Sequence, residues 1–314
     1  MASVRGKALR LSAHKWRTEN AEFKEFYMNN NRRRLAVLAV LMFGLCCAAS
    51  AADDPKVEAM DKAAWNNDVA VVRRLIAEGV DVNARFYGCT ALVTAVRNKS
   101  VDVAKLLIAA GADVNANVDG WTALIYAAEN RSVDMAKILI AAGADVNVKG
   151  NNALPMLVYA AEGYYWSDSV GVARLLIEAG ADVNAKTKGG GTALMSAAGN
   201  NSVDVAKLLI AAGADVNAEN INGNTALIYA AMKNYVDMAR LLIEAGADVN
   251  AKAYGRLTAL MSAAEENSVD VARLLIEAGA DVNAKDKNGW TALVYARNHG
   301  SRNVRELLEA AGAR

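Results

Sequence analysis

Apolar and polar residues alternate along this chain in paired bursts that return with a long period. Residues 123–129 (ALIYAAE) and 133–140 (VDMAKILI) each space their apolar side chains as a helix with one buried face does, and a short polar turn separates them. Thr122 stands where it can cap the first helix and Ser132 where it can cap the second. Each burst pair therefore predicts a helix–turn–helix followed by a loop.

A five-residue phrase marks each return. GADVN begins at Gly111, Gly143, Gly180, Gly213, Gly246 and Gly279, a worn copy GVDVN begins at Gly79, and a truncated one closes the sequence at Gly312. Successive glycines are 32, 32, 37, 33, 33, 33 and 33 residues apart, the period of a solenoid repeat. No unit of this size buries enough apolar surface alone, so neighbours must supply it and the units stack. The expected architecture is all-α, an array of about eight helix–turn–helix units joined by short hairpin-like loops over residues 52–314.

The polar positions repeat as faithfully as the apolar ones. Asp68, Ser100, Ser132, Ser169, Ser202, Ser268 and Ser301 hold the second cap slot, and only Tyr235 departs from it. An acid two residues later (Asp102, Asp134, Asp204, Asp237, Asp270) suits the positive end of the helix. The turn between helices calls for a left-handed residue, which Gly300, Asn67, Asn201, Asn234 and Asn267 supply readily and Lys99 and Arg131 supply under mild strain. Alanines at positions such as Ala95, Ala128, Ala161, Ala198, Ala231 and Ala264 let paired helices approach closely.

The run Asp286-Lys287-Asn288-Gly289-Trp290-Thr291-Ala292-Leu293, with Leu307-Leu308 and Gly312 behind it, resembles the ankyrin repeat over about residues 57–314. Two departures stand out. The family's signature proline is alanine at Ala91, Ala123, Ala193, Ala226, Ala259 and Ala292, an excellent helix former. Its histidine is Val93, Ile125, Met195, Ile228, Met261 or Val294, so apolar packing must replace a Thr–His hydrogen bond. The fourth unit breaks the pattern twice: Pro155 takes the place of the capping threonine, and Gly163–Asp168 lengthens the inter-helix turn by four residues carrying Tyr164, Tyr165 and Trp166.

The segment before the array changes the charge picture. Arg32-Arg33-Arg34, an apolar run from Leu35, and Ala49-Ser50-Ala51 have the layout of a secretory signal over 28–51, with a mature start near Ala52. An uncleaved membrane anchor over the same stretch is the alternative, because 35–52 is just long enough to span. A lipoprotein fits less well, since Leu45 precedes Cys46. Residues 1–27 read as an upstream extension. Either main reading places the repeats in the periplasm, outside the cell, or membrane-anchored outside the cytoplasm. Residues 1–51 hold nine Lys/Arg and three Asp/Glu, leaving 35 − 9 = 26 bases and 34 − 3 = 31 acids, net −5. That mild acidity, without basic clusters, argues against nucleic acid or an anionic membrane as partner.

Candidate chemistry is sparse after residue 51. The histidine His299 and the cysteine Cys89 lie more than six units apart and cannot meet; an isolated Cys89 allows no intramolecular disulfide. The Lys188–Thr192 stretch lacks the order of a phosphate-binding loop, and the loop starting at Asp281 ends on Ala292 where calcium needs a carboxylate. No enzyme, cofactor or metal is expected. Tyr126, Tyr159, Tyr229 and Tyr295 share one repeat position, alternating with Thr94, Ser196 and Ser262, as packing or as a ligand face.

The resemblance implies protein recognition by loop tips and first-helix surfaces. Carried onto this sequence, the partner-facing positions are Tyr87, Trp121, Asn222, Asn224, Met232, Lys233, Tyr254, Leu257, Glu265, Glu266, Lys287, Trp290, Asn298 and His299, with Tyr164, Tyr165 and Trp166 as a projecting contact. The expectation is an exported, monomeric, non-catalytic module binding another protein, or a secreted effector or immunity-type protein with a host or competitor target.

Overall fold

A threonine before six of the eight first helices marks where the unit begins. The Thr90, Thr122, Thr192, Thr225 and Thr258 hydroxyls accept the amide three residues on, at 3.3 to 3.5 Å, and these threonines are buried. Pro155 offers no hydroxyl to the helix that follows it, described over Met156–Ala161.

The computed structural model describes residues 54–118, 120–130, 132–149, 154–161 and 169–314. Within them, eight helix pairs follow one another: α1 (Pro55–Trp65) and α2 (Val69–Ala77), α3 (Ala91–Arg97) and α4 (Val101–Ala109), α5 (Ala123–Glu129) and α6 (Val133–Ala141), α7 (Met156–Ala161) and α8 (Ser169–Glu178). The second half continues with α9 (Ala193–Gly199) and α10 (Val203–Ala211), α11 (Ala226–Met232) and α12 (Val236–Glu244), α13 (Ala259–Glu265) and α14 (Val269–Glu277), α15 (Ala292–Asn298) and α16 (Arg302–Ala310). Strands β1 (Arg85–Phe86) and β2 (Cys89–Thr90) form one antiparallel hairpin between the first two pairs.

Odd-numbered helices pack on the next odd-numbered helix and even on even, while each pair also packs internally. All the substantial helix contacts fall within one unit or between adjacent units, as a one-dimensional stack requires. A single apolar core runs through the stack from Met60 to Leu308, and the alanines at the helix interfaces are fully buried. Val93, Ile125, Met195, Ile228 and Met261 are buried where the family's histidine belongs, so apolar packing does take over there.

The turn between paired helices takes the left-handed backbone that was expected, at Asn67, Lys99, Asn201, Asn234, Asn267 and Gly300. The serine caps of the second helices are a correction. Asp68 and Ser132 accept the predicted amide, but Ser100, Ser202, Ser268 and Ser301 do not, and Ser169 lies inside α8 rather than ahead of it. For two of these helices the cap comes from the unit before: Asn67 Oδ1 accepts Val103 N at 3.3 Å, and Asn234 Oδ1 accepts Val271 N at 3.5 Å. Ser100 is thereby released, and its hydroxyl donates to the Trp65 carbonyl at 3.4 Å. One turn asparagine thus shapes its own backbone and caps the next unit's helix.

The recurring phrase has a similar double role. In GADVN the aspartate accepts the asparagine's own amide, as Asp113 does from Asn115 at 2.9 Å. The asparagine side chain then crosses to the next unit: Asn115 Nδ2 donates to Gly143 O at 3.1 Å, and its Oδ1 accepts Asp145 N at 2.8 Å. The same crossing recurs from Asn83, Asn147, Asn184, Asn217 and Asn250.

Candidate functional site

With the core made of repeated alanine and leucine, the side chains that vary between units lie on the exposed side of the first helices and at the loop tips. The N-terminal part of this face is aromatic. The Trp121 ring stacks on Tyr126 at 5.2 Å and tilts against Tyr159 at 5.8 Å, with the Arg97 guanidinium over the Tyr126 ring at 5.4 Å. Trp121 is half-buried in this cluster rather than projecting from it, because Tyr126 and Tyr159 stand at the same repeat position on consecutive helices. Beside the cluster the Thr94 hydroxyl donates to Asp61, whose carboxyl is pushed up by burial against the opposing pull of that hydroxyl and of Arg97.

The C-terminal part is built on two matched loops. Asn220 Oδ1 accepts the amides of Asn222 and Asn224 at 2.9 and 3.0 Å, and its Nδ2 donates to the Tyr229 hydroxyl at 2.9 Å. Asp286 repeats the design 66 residues on: Oδ1 accepts the amides of Asn288 and Trp290, each at 2.8 Å, and Oδ2 accepts the Tyr295 hydroxyl at 3.0 Å. Burial alone would raise the Asp286 carboxyl, but those amide and phenol donations outweigh it and hold it below the usual carboxylate range. The Tyr295 phenol moves the other way, up to about 12, through burial and then the Asp286 charge. The exchange of Asn for Asp reverses the phenol: Tyr295 gives its proton inward, whereas Tyr229 accepts inward and keeps its own to give.

The remaining predicted positions divide by exposure. Tyr87, on the β1–β2 turn with φ 48°, is 58 % exposed; Tyr254 is 74 % exposed with Lys287 Nζ over its ring at 5.1 Å; Trp290 is 42 % exposed and meets Tyr295 edge-on at 5.7 Å. Asn222, Met232, Lys233, Glu265, Glu266 and Asn298 are exposed as well. His299 stacks on Tyr295 and places Nε2 3.9 Å from Glu265, joining the seventh and eighth units. Two are less accessible: Leu257 is half-buried against the core, and Asn224 is half-buried with its backbone amide held by Asn220. Tyr164, Tyr165 and Trp166 lie outside the described residues, as do Arg131 and segments 1–27 and 28–51.

Ile221 was not anticipated from the sequence. It is 76 % exposed at a loop tip, beside Asn222 on the same row as Tyr254 and Lys287. An apolar residue at a tip where the matching positions carry Lys188, Tyr254 and Lys287 was the available signal. The other unforeseen feature is an open notch of about 360 Å³ between the fifth and sixth units, walled by Ser196, Gly199, Tyr229, Met232 and Lys233 over Met195.

Cys89 is half-buried in β2 of the second unit, while His299 follows α15 in the eighth. Among the described residues no cluster of His, Cys, Asp and Glu is placed to hold a metal ion, and no helix is long and apolar enough to cross a membrane.

Stacked helix pairs with a uniform core and one variable face define a repeat solenoid of the protein-binding class. Family models agree: one described as "Ankyrin repeats (3 copies)" matches residues 60–150 and 156–253, and one described as "Ankyrin repeats (many copies)" matches 242–296. The chain belongs to the ankyrin repeat family, whose repeats generally mediate protein–protein binding. No curated protein matches it closely enough to count as a relative.

Proposed function

We propose that this protein is an exported, monomeric, non-catalytic module that captures an extended segment of another protein on its first-helix face and loop tips. The observation that carries the reading is the contrast between a repeated core and a varied exposed row. At one repeat position on the first helices of the second, third, fifth, sixth, seventh and eighth units the residue is Arg97, Glu129, Gly199, Met232, Glu265 and Asn298, while the alanine preceding most of them stays buried. A surface that changes charge, size and polarity from unit to unit suits recognition of one sequence and has no architectural use.

Crosslinking capture from an envelope extract tests it, using the mature chain and a Tyr254→Ala, Trp290→Ala double variant. Both residues are exposed and outside the core, so the variant should keep its melting temperature and lose most of the captured protein. Undiminished capture by the variant rejects this face.

Export is supported by the layout of residues 28–51. Fractionation with N-terminal sequencing separates its versions. A chain starting near Ala52 in the periplasm supports the leading version, the same chain in culture supernatant supports an effector or immunity-type role, and an intact membrane-bound chain makes 28–51 an anchor. Cytoplasmic material with an intact N-terminus contradicts all three.

A further inference from the structure

The tyrosine column along the first helices is interrupted twice after Tyr159, at Ser196 and at Ser262, and a notch stands at the first of these. Tyr159 and Tyr229 flank the position held by Ser196, and three residues on, where the next two first helices in the stack carry Met232 and Glu265, α9 ends in Gly199. Two side chains are thus missing from one place, and the space they leave is the notch of about 360 Å³. That volume lies at the low end of ligand pockets, which run from roughly 300 to 1,000 Å³, so it holds one large side chain rather than a cofactor.

Its lining is apolar below and polar at the rim. Met195 is buried beneath it, and Met232 and the Tyr229 ring form one wall; methionine sulfur favours the edge of an aromatic ring. Lys233 stands exposed at the mouth, where an ammonium can sit over a ring as Lys287 already does over Tyr254 at 5.1 Å. The Tyr229 hydroxyl, accepting from Asn220, keeps its own proton to donate.

Resting on the proposed binding role of this face, we propose that the notch is a specificity pocket for one aromatic side chain of the partner, which takes the place the repeat leaves open between Tyr159 and Tyr229. The notch stands at a repeat position where the flanking units carry tyrosine, and its walls supply methionine, a phenol and a cation, the chemistry that an aromatic ring meets favourably. The pocket selects phenylalanine, tyrosine or tryptophan over aliphatic residues.

Panning a random twelve-residue peptide library on the mature chain tests this against Ser196→Tyr and Gly199→Met, which fill the gap with residues the array already uses at those positions. Tyr126 and Tyr159 show that tyrosines on consecutive helices are accommodated, and thermal melting confirms that each variant folds. Wild-type selection should enrich one aromatic position, and replacing that residue by alanine in a synthetic peptide should weaken binding ten- to a hundred-fold. Both filled variants should lose affinity to a similar degree. Peptides without aromatic enrichment, or with affinity unchanged by both fillings, overturn the pocket. Capture that appears only when Tyr164, Tyr165 and Trp166 are all changed to alanine also overturns it, since the chain itself is then the occupant. If no peptide responds to Tyr254→Ala, Trp290→Ala either, the broader face has failed; a response there without one at Ser196 removes the pocket alone.

Discussion

The loop tips of the second and third units are tied together differently from those of the last four. Near the N-terminal end a side chain makes the link: the Arg85 guanidinium donates to its own hairpin at Gly88 O and to Asn117 O of the next loop, at 3.2 and 3.0 Å. From the fifth unit onward backbone bonds are added: Lys186 Nζ still donates to Glu219 O at 3.4 Å, but the tips are also joined peptide to peptide. Ile221 N donates to Gly189 O at 3.0 Å, Tyr254 N to Asn222 O at 2.6 Å, and Lys287 N to Gly255 O at 2.8 Å. A link made by peptide groups does not require the tip side chains, so Ile221 and Tyr254 can be exposed apolar residues on an ordered row. Where a side chain is the link, that residue is spent on structure. The same core phrase therefore supports two kinds of surface, one fixed by its side chains and one free to vary.

The largest way to break the C-terminal row is steric. A Cβ at Gly223 (φ 71°) would stand 3.1 Å from Ala253 Cα and 3.3 Å from Lys252 O, whereas one at Gly289 (φ 82°) meets nothing within 4 Å. Gly223→Ala should cost about 3 kcal/mol and Gly289→Ala about 1 kcal/mol, the second being the left-handed penalty alone. Urea melts of both variants measure the difference, and equal costs would mean that the tips do not touch.

Next in size is the Asp286 loop. Asp286→Ala strands two amides and the Tyr295 hydroxyl and should cost about 2 kcal/mol, while Asp286→Asn should cost under about 0.5 kcal/mol because Asn220 already performs the same bonding with the phenol reversed. The Asp286 carboxyl is held below its unfolded value, so its contribution is present above about pH 4 and lost as pH falls through the lower folded value. The Asn variant should lack that acid-dependent loss.

Asn115→Ala and Asn217→Ala should each cost about 1 kcal/mol, and by the same amount, since both cut one crossing of the inter-unit ladder. Unequal values would show that the two halves differ in their stacking as well as in their tips. The smallest effect belongs to Asp61. Its carboxyl is raised by burial, so ionisation works against folding as pH rises through the folded value. Asp61→Asn, which still accepts from Thr94, should stabilise the array by up to about 0.5 kcal/mol at pH 7, and the gain should vanish near pH 3.

The array itself was legible in the sequence because stacking is a local matter repeated at one interval: the helix bounds at 123–129, the left-handed turns and the glycine stops all follow from neighbours within one unit. What crosses between units was harder to read. Asn115 looks like part of a loop phrase until its amide is seen on Gly143 and Asp145, and Ser100 looks like a cap until Asn67 is found capping in its place. The face was half legible. Variation picked out Tyr254, Lys287 and Trp290, which are exposed, and equally Leu257 and Trp121, which are half-buried. Absences were the least legible of all: Ser196 and Gly199 look unremarkable alone and make a notch only beside Tyr229.

Hydrogen exchange at three amides tests most directly whether the C-terminal tips form a backbone-locked row. Ile221, Tyr254 and Lys287 lie in exposed loops, and their amides should nonetheless exchange on the order of a hundred-fold more slowly than in an unstructured peptide, as amides bonded in the native state do. Exchange of all three at unstructured-peptide rates would contradict the account.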